Sequence, residues 1–236
     1  DGGQFCSGGI KVGGRGMRAV AVIILKSFHE TKPKLATVLN VGERRALTKA
    51  MFDDVISATL ACNQLSHIVV LSPEEEVLRT AKERGLATVK EGEPQGMDKA
   101  LRRGVKFCME RGDEVMVSLP SDIPLLTSRD LSYLLGRMKQ SPKALIVPST
   151  IGPGTSILMT APPDIIEPRF EEDDHLAHLA ETERKGVPAE VCELLQAGLD
   201  VDTPKDLARL FLVERPCSTR DLLEDMDILD RLRPFF

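Results

Sequence analysis

Tryptophan is absent from this 236-residue chain, tyrosine occurs once, and aromatic residues make up 4% of it. A platform for stacking unpaired bases needs several such rings, so single-stranded nucleic acid is a poor fit. A surplus of positive charge is missing too. The formal net charge is −5, whereas proteins that neutralise a phosphate backbone carry the opposite sign, and no nucleic-acid partner is expected. Long apolar runs are also lacking: residues 20–25 fall far short of the ~20 residues that cross a bilayer. No secretory apolar segment is visible, so no membrane partner is expected. The five cysteines (Cys6, Cys62, Cys108, Cys192, Cys217) are scattered and lack the Cys-x-x-Cys pairing of a metal site. Cys62, Cys108 and Cys192 lie in or beside apolar surroundings that suit small buried thiols, and a cytoplasmic, reducing location fits this usage.

The rest of the composition is that of an ordinary soluble globular domain, 42% apolar and 28% charged. Residues 1–16 are glycine-rich and aperiodic, and read as a disordered tail or cloning remnant outside the fold. From residue 17 to 212 short apolar runs alternate with helical periodicity, without a repeat or linker. That alternation predicts one α/β domain with a mostly parallel central sheet flanked by helices. Strands are expected over 18–25, 66–72, 86–90, 115–119, 144–149, within 151–159 after a Gly-rich turn, and over 187–195. Helices are expected over 42–61, 73–85, 97–111, 128–138 and 171 to about 185, and after Thr203, with Thr203 as N-cap and Pro204 at N1. Residues 213–236 read as an amphipathic helix through Leu222, Met226, Leu229 and Leu232, free to pack on its own domain or on a second subunit of a homodimer.

The most informative stretch is Val115-Met116-Val117-Ser118-Leu119-Pro120-Ser121-Asp122-Ile123-Pro124. A run with little alternation suits a buried parallel strand, and prolines on both sides of Asp122 stiffen the backbone that carries it. A rigid carboxylate where a strand ends in an open α/β sheet stands where such folds bind ligands, and carboxylates there commonly hold Mg²⁺ against substrate phosphates. The other reading, a helix N-cap, is already served by Thr127 or Ser128. After the first strand, Lys26, Lys32 and Lys34 share a loop that Pro33 is expected to keep from being helical. Three ammonium groups there suit a triphosphate, although a solvated basic loop has the same composition. Asp98, in the first turn of its helix, serves the helix dipole or reaches a ligand. Gly152 and Gly154 permit close backbone approach, with the Thr155 and Ser156 hydroxyls beside them. The acids from Glu171 to Asp174 read first as a helix start, and His175 with His178 as a weaker metal pair. Asp200 and Asp202 precede the Thr203 cap, which leaves at least one of them free for other work.

Together these motifs resemble the phospholactate guanylyltransferases of coenzyme F-420 biosynthesis, relatives of the molybdopterin nucleotidyltransferases. The resemblance runs from Met17 to about Leu212. It rests on Leu25-Lys26, Thr31-Lys32-Pro33-Lys34-Leu35, Glu43-Arg44, Gly96-Met97-Asp98-Lys99-Ala100-Leu101, Pro120-Ser121-Asp122-Ile123-Pro124-Leu125-Leu126, Gly154-Thr155-Ser156, and Asp200-Val201-Asp202-Thr203-Pro204. It implies a Rossmann-like nucleotidyltransferase fold that moves GMP from GTP to a small phosphorylated acid: 2-phospho-L-lactate, phosphoenolpyruvate or 3-phosphoglycerate. It further implies Lys32 and Asp122 in catalysis, and Lys26, Lys32, Lys34, Gly96, Asp98 and Pro120 around the nucleotide. Asp122 and Asp202, with Asp200, would hold Mg²⁺. Thr155, Ser156, Glu171 and Asp174 would meet the acceptor. Three positions depart from the family pattern. Pro33-Lys34 replaces Ser-Arg and loses a bidentate guanidinium, Asp98 replaces Asn, and the acids from Glu171 to Asp174 replace a Gly-x-x-Ser segment. Acids beside an anionic acceptor repel it, which leaves a sugar-phosphate or pterin acceptor, or a nucleotide-binding protein without turnover, as alternatives.

Overall fold

The computed structural model describes residues 17–29, 32–92, 96–138, 141–170 and 175–236. The expected tail (1–16) and the acceptor candidates Glu171 and Asp174 lie outside the described residues. Seven strands form one sheet: β1 (Ala19–Ile24), β2 (Leu65–Ser72), β3 (Ala87–Lys90), β4 (Val115–Pro120), β5 (Lys143–Pro148), β6 (Thr155–Ala161) and β7 (Ala189–Val191), in the order β3-β2-β1-β4-β6-β5-β7. β6 runs antiparallel to β4 and β5, and the other pairings are parallel. The helices are α1 (Val41–Leu60), α2 (Glu75–Glu83), α3 (Met97–Arg111), α4 (Ser128–Arg137), α5 (His175–Lys185), α6 (Pro204–Leu212), α7 (Ser218–Asp225) and α8 (Leu229–Leu232). None of these is long and apolar enough to cross a membrane.

β1 explains its own lack of polar alternation. All six of its residues are buried, because both faces of the sheet are covered. Ala19, Ala21 and Ile23 pack with Phe52, Val55 and Val77 from α1 and α2, whereas Val20, Val22 and Ile24 pack with Ala100, Leu101 and Cys108 of α3. Fully burying one such aliphatic side chain contributes about 1.5–3 kcal/mol. The approach of α3 to β1 depends on Gly104, where an added Cβ would lie 2.8 Å from Val22 Cγ1.

A second apolar cluster joins Leu35, Leu39, Leu47 and Met51 to Leu207, Leu210, Leu223, Ile228 and Leu232, so the C-terminal segment packs on its own chain. It is not the single helix its periodicity suggests. Asp227 takes a left-handed φ of 48°, a conformation Asp tolerates better than most residues. The resulting break turns α8 so that Ile228 and Leu232 reach the same core as Leu223. Asp54, on α1, closes the open end of α7 by accepting from the amides of Ser218 (2.8 Å) and Thr219 (2.9 Å) and from the Thr219 hydroxyl (2.6 Å). Arg231 pairs with Glu43 at 2.9 Å.

Other boundaries also shift. Pro33 does not prevent a helix; it starts a 3-10 turn over Pro33–Thr37, because its fixed φ suits a first helical position and it has no amide to leave unpaired. α2 begins only at Glu75 with Glu74 as N-cap, and Pro73 stands before it. The strand expected over 187–195 shrinks to Ala189–Val191 before the chain turns into the loop ahead of α6.

Candidate active site

β1 leads outward to β2 and β3 on one side, and β4 sits on the other, so the connections reverse direction between β1 and β4. Open α/β sheets bind ligands at the carboxyl ends of strands beside such a reversal. A cavity of about 340 Å³ opens there, lined by Lys26, Lys32, Lys34, Pro120, Asp122 and Asp202 among others. That volume falls within the range of small-molecule sites.

Lys32 stands at its centre. Its backbone is left-handed (φ 53°, ψ 52°), uncommon for a residue with a Cβ. Its carbonyl accepts from the Leu35 amide at 2.9 Å and so opens the 3-10 turn. From this position Nζ donates to Asp122 Oδ2 at 2.6 Å and to Asp202 Oδ1 at 2.5 Å. The two carboxylate oxygens can therefore lie no farther apart than those two bonds laid end to end. Lys34, with a 68% exposed side chain, approaches Asp202 Oδ2 at 3.9 Å, and Lys26 is exposed on the same wall.

The loops bearing the two acids are laced together. The Asp122 carbonyl accepts from the Val201 amide at 2.9 Å. Behind Asp202, Thr203 and Asp206 form a reciprocal capping box, and the Asp202 amide donates to Asp206 Oδ2 at 3.0 Å. Asp206 thus serves α6, and the Asp202 carboxylate is left for Lys32. Asp200 turns elsewhere, accepting from Ser149 Oγ at 2.5 Å. Its loop sits hard against the end of β5, since a Cβ on Gly198 would lie 2.7 Å from the Pro148 carbonyl oxygen.

Electrostatics follow from this packing. Burial alone would depress the Lys32 ammonium, but Asp122 and Asp202 outweigh it and hold its pKa above the ordinary value. Burial acts on Asp202 in the upward direction, yet Lys32 and Lys34 hold its carboxyl below the ordinary value. Asp200 is pushed up by burial and by the nearby charges of Asp122 and Asp202, against the Ser149 hydrogen bond. Asp122 Oδ1 is buried and has no hydrogen-bond partner. An unsatisfied carboxylate oxygen is costly in a protein interior unless a ligand uses it. Next to a second carboxylate, it is the donor set a hard divalent cation takes.

The remaining candidates divide. Pro120 ends β4 on the cavity wall, paired with Ile24. Gly96 (φ 96°) caps α3, whose first residue, Met97, lines the cavity. Asp98 Oδ1 accepts from the Phe170 amide at 2.8 Å, a bond that the oxygen of an asparagine amide would make equally well. Ser156 is buried and donates to the Gly198 carbonyl at 3.0 Å, so its hydroxyl serves the loop that carries Asp200.

Thr155 opens β6 at the same sheet edge, because β6 runs antiparallel to β4. Its Oγ1 lies 2.9 Å from His178 Nδ1, and His178 Nε2 lies 3.0 Å from the Arg169 amide. A backbone amide only donates, so Nε2 carries no proton and the neutral ring must hold its proton on Nδ1. His178 therefore donates to Thr155 Oγ1, and the hydroxyl's own proton is left to donate onward. Burial, together with Arg169 and His175, pushes the His178 pKa down to about 4. With both nitrogens engaged, His178 has no lone pair for a metal, which overturns the His175–His178 metal pair. Sequence reading missed this role because an isolated histidine carries no signal of its ring partners. It also missed Ser27, Thr48 and Ser121 on the cavity wall, and Ser149, whose place directly after β5 at the same edge was an available hint.

Among the described residues, His29, Glu74 and Glu76 also bring ligand-type atoms within 4.8 Å of one another. Glu76 already holds Lys49 at 2.5 Å and Arg45 at 2.9 Å, and the Lys49 hydrogen bond is the main cause of its pKa of about 2. Two cations already occupy that group.

Three comparisons bear on what such a cavity does. The family described as "Guanylyl transferase CofC like" matches residues 19–231. The chain is 34% identical over 195 residues to a phosphoenolpyruvate guanylyltransferase of Conexibacter woesei, covering 82% of this chain and 87% of that one. It is 30% identical over 207 residues to a 2-phospho-L-lactate guanylyltransferase of Methanobrevibacter smithii, covering 88% and 90%. Among solved structures, a protein assigned by name to the nucleotide-diphospho-sugar transferases, from Desulfovibrio desulfuricans G20, superposes with a TM-score of 0.75 at 17% identity, covering 93% of this chain and 98% of that one. At that identity the likeness speaks for the fold.

Proposed function

The chain belongs to the CofC-like guanylyl transferase family, and from this premise we propose that it moves GMP from GTP onto the phosphate of a small phosphorylated acid, in coenzyme F-420 biosynthesis. Phosphoenolpyruvate and 2-phospho-L-lactate, which relatives carry in their names, and 3-phosphoglycerate are the acceptors we propose. The observation that carries this reading is the Lys32 ammonium held between Asp122 and Asp202 at the mouth of the β1–β4 cleft.

In the reaction an acceptor phosphate oxygen bonds to the α-phosphorus of GTP. The bond from that phosphorus to the bridging oxygen breaks, and pyrophosphate leaves with the electron pair. The attacking phosphate oxygen is already deprotonated at neutral pH, so no base is needed and the protein's task is to position anions and offset charge. Lys26 and Lys34, open to solvent on the cleft wall, meet the triphosphate as point charges. Lys32 adds a third positive charge from below. Thr155, its proton directed outward by His178, donates to an anionic oxygen of the acceptor. Asp122, with its unpartnered Oδ1, and Asp202 would hold Mg²⁺, which supplies Lewis-acid charge neutralisation at the phosphates when bound; Asp200, near enough for its charge to be felt by both, would complete the acidic set.

The test is direct. GTP, Mg²⁺ and each acceptor in turn are expected to release pyrophosphate with at least one of the three. No release with any of them would sink the assignment.

A further inference from the structure

Lys32 does more in the free protein than wait for a phosphate. We propose that its ammonium is a built-in place-holder: without nucleotide it occupies the space between Asp122 and Asp202 that a divalent cation takes during turnover, so that the cation enters only together with the nucleotide. This rests on the reading of the cleft as a nucleotidyltransfer site and assigns Lys32 a second role there.

The geometry sets Lys32 against a cation at the two oxygens it engages, Asp122 Oδ2 and Asp202 Oδ1. Nζ sits 2.6 Å from one carboxylate and 2.5 Å from the other. A Mg²⁺ ion drawing both of these oxygens in to ~2.1 Å competes with the ammonium for the same lone pairs, and the two positive charges repel. The electrostatics match as well, since two close carboxylates repel without a cation between them, and the Lys32 side chain, 9% exposed, supplies one from within the chain. A buried ion pair contributes little net stability over an apolar replacement, so a structural role gives no strong reason to build one into the wall of an open cleft.

The neighbouring groups supply a route for release. Lys26 and Lys34 have their side chains at the surface of the same cleft and offer an arriving triphosphate its first contacts. Once phosphate oxygens stand beside Lys32, they replace the carboxylates as its partners, and Asp122 and Asp202 become available to the cation that travels with the nucleotide. Asp122 Oδ1, buried and without a partner in the free protein, is the oxygen left over while Lys32 engages only the other one.

The experiment measures Mn²⁺ binding to the nucleotide-free full chain by the loss of the free-ion paramagnetic resonance signal, with far-ultraviolet circular dichroism as the check on folding. Lys32→Met, which keeps the stem and removes the charge, is expected to bind Mn²⁺ at least tenfold more tightly than the natural protein. Lys32→Arg, which retains a positive charge, is expected to stay at the natural level. Should Lys32→Met fail to fold, Lys32→Gln carries the same comparison with amide donors toward both acids. Equal affinity in the natural and charge-removed proteins would overturn the place-holder. So would the absence of Mn²⁺ binding in both, and if the natural protein still released pyrophosphate from GTP and an acceptor, the reaction reading would stand without it. Tighter binding in Lys32→Met, with no turnover by the natural protein on any acceptor, would support the place-holder and fail the reaction reading.

Discussion

Two cavities of nearly equal size open at opposite ends of the same sheet. One, about 340 Å³, lies at the carboxyl ends of β1 and β4; the other, about 370 Å³, lies at the amino ends of β2 and β3, lined by Leu65, His67, Phe107 and Arg111 among others. Volume does not distinguish them. Their charged groups do. At the amino end one arginine gathers the charges, although Asp113 Oδ2 is buried there without a hydrogen-bond partner. Arg111 donates to His67 Nε2 at 3.1 Å, stacks over the Phe107 ring at 5.3 Å, and faces Asp113 at 3.9 Å. At the carboxyl end a lysine is buried between two acids, one with an unpartnered oxygen, and two further lysines stand open at the wall. An unpartnered oxygen is common to both ends; what marks the carboxyl end is a lysine buried between two acids with two more cations open beside it.

The sharpest way to break this contrast is Asp122→Asn. Loss of a charge aimed at the reacting phosphates is expected to cut turnover by roughly 10²–10³-fold, while Lys32 keeps Asp202 and the fold survives. Pyrophosphate release and a thermal melt check both halves, and near-natural turnover would remove the reason for treating the carboxyl-end cleft as special.

A smaller effect is expected from pH, through His178. Its folded pKa of about 4 lies below the ordinary 6.5, so on acidification the unfolded chain binds the proton first. The stabilisation is full above about pH 6.5 and is lost as pH falls toward 4. Urea melts at pH 7 and pH 5 are expected to differ by roughly 2 kcal/mol through this group, and His178→Gln is expected to lack that increment. An equal pH response in the variant would show that the ring is not held neutral between Arg169 and Thr155.

The smallest effect belongs to the amino-end cavity. Arg111 is partly exposed, and Arg111→Ala is expected to change stability by less than about 0.5 kcal/mol and to leave pyrophosphate release unchanged. A loss of turnover comparable to that of Asp122→Asn would erase the distinction between the two ends.

What could be read in advance was local chemistry. The Pro-Ser-Asp-Ile-Pro sequence marks a stiff carboxylate because proline restricts its own φ and the residue before it, whatever the rest of the chain does. Thr203 and Pro204 announce a helix start for the same kind of reason, and the structure has that cap with its reciprocal Asp206 bond. The burial of β1 follows from six apolar residues in a row. Lysines after the first strand and acids before α6 were visible as charge, but not as one cluster, because Lys32 and Asp202 are brought together only by the sheet order and by the Asp122–Val201 hydrogen bond. Tertiary packing also broke the C-terminal helix at Asp227, where periodicity alone ran on. It placed Ser156 in the interior and set the tautomer of His178 through a backbone amide nine residues away in sequence. Backbone restriction and capping act over a few residues, so the sequence carries them openly. The partner of a buried charge is chosen by which loops the sheet carries to one edge, and that is settled only when the whole chain has folded.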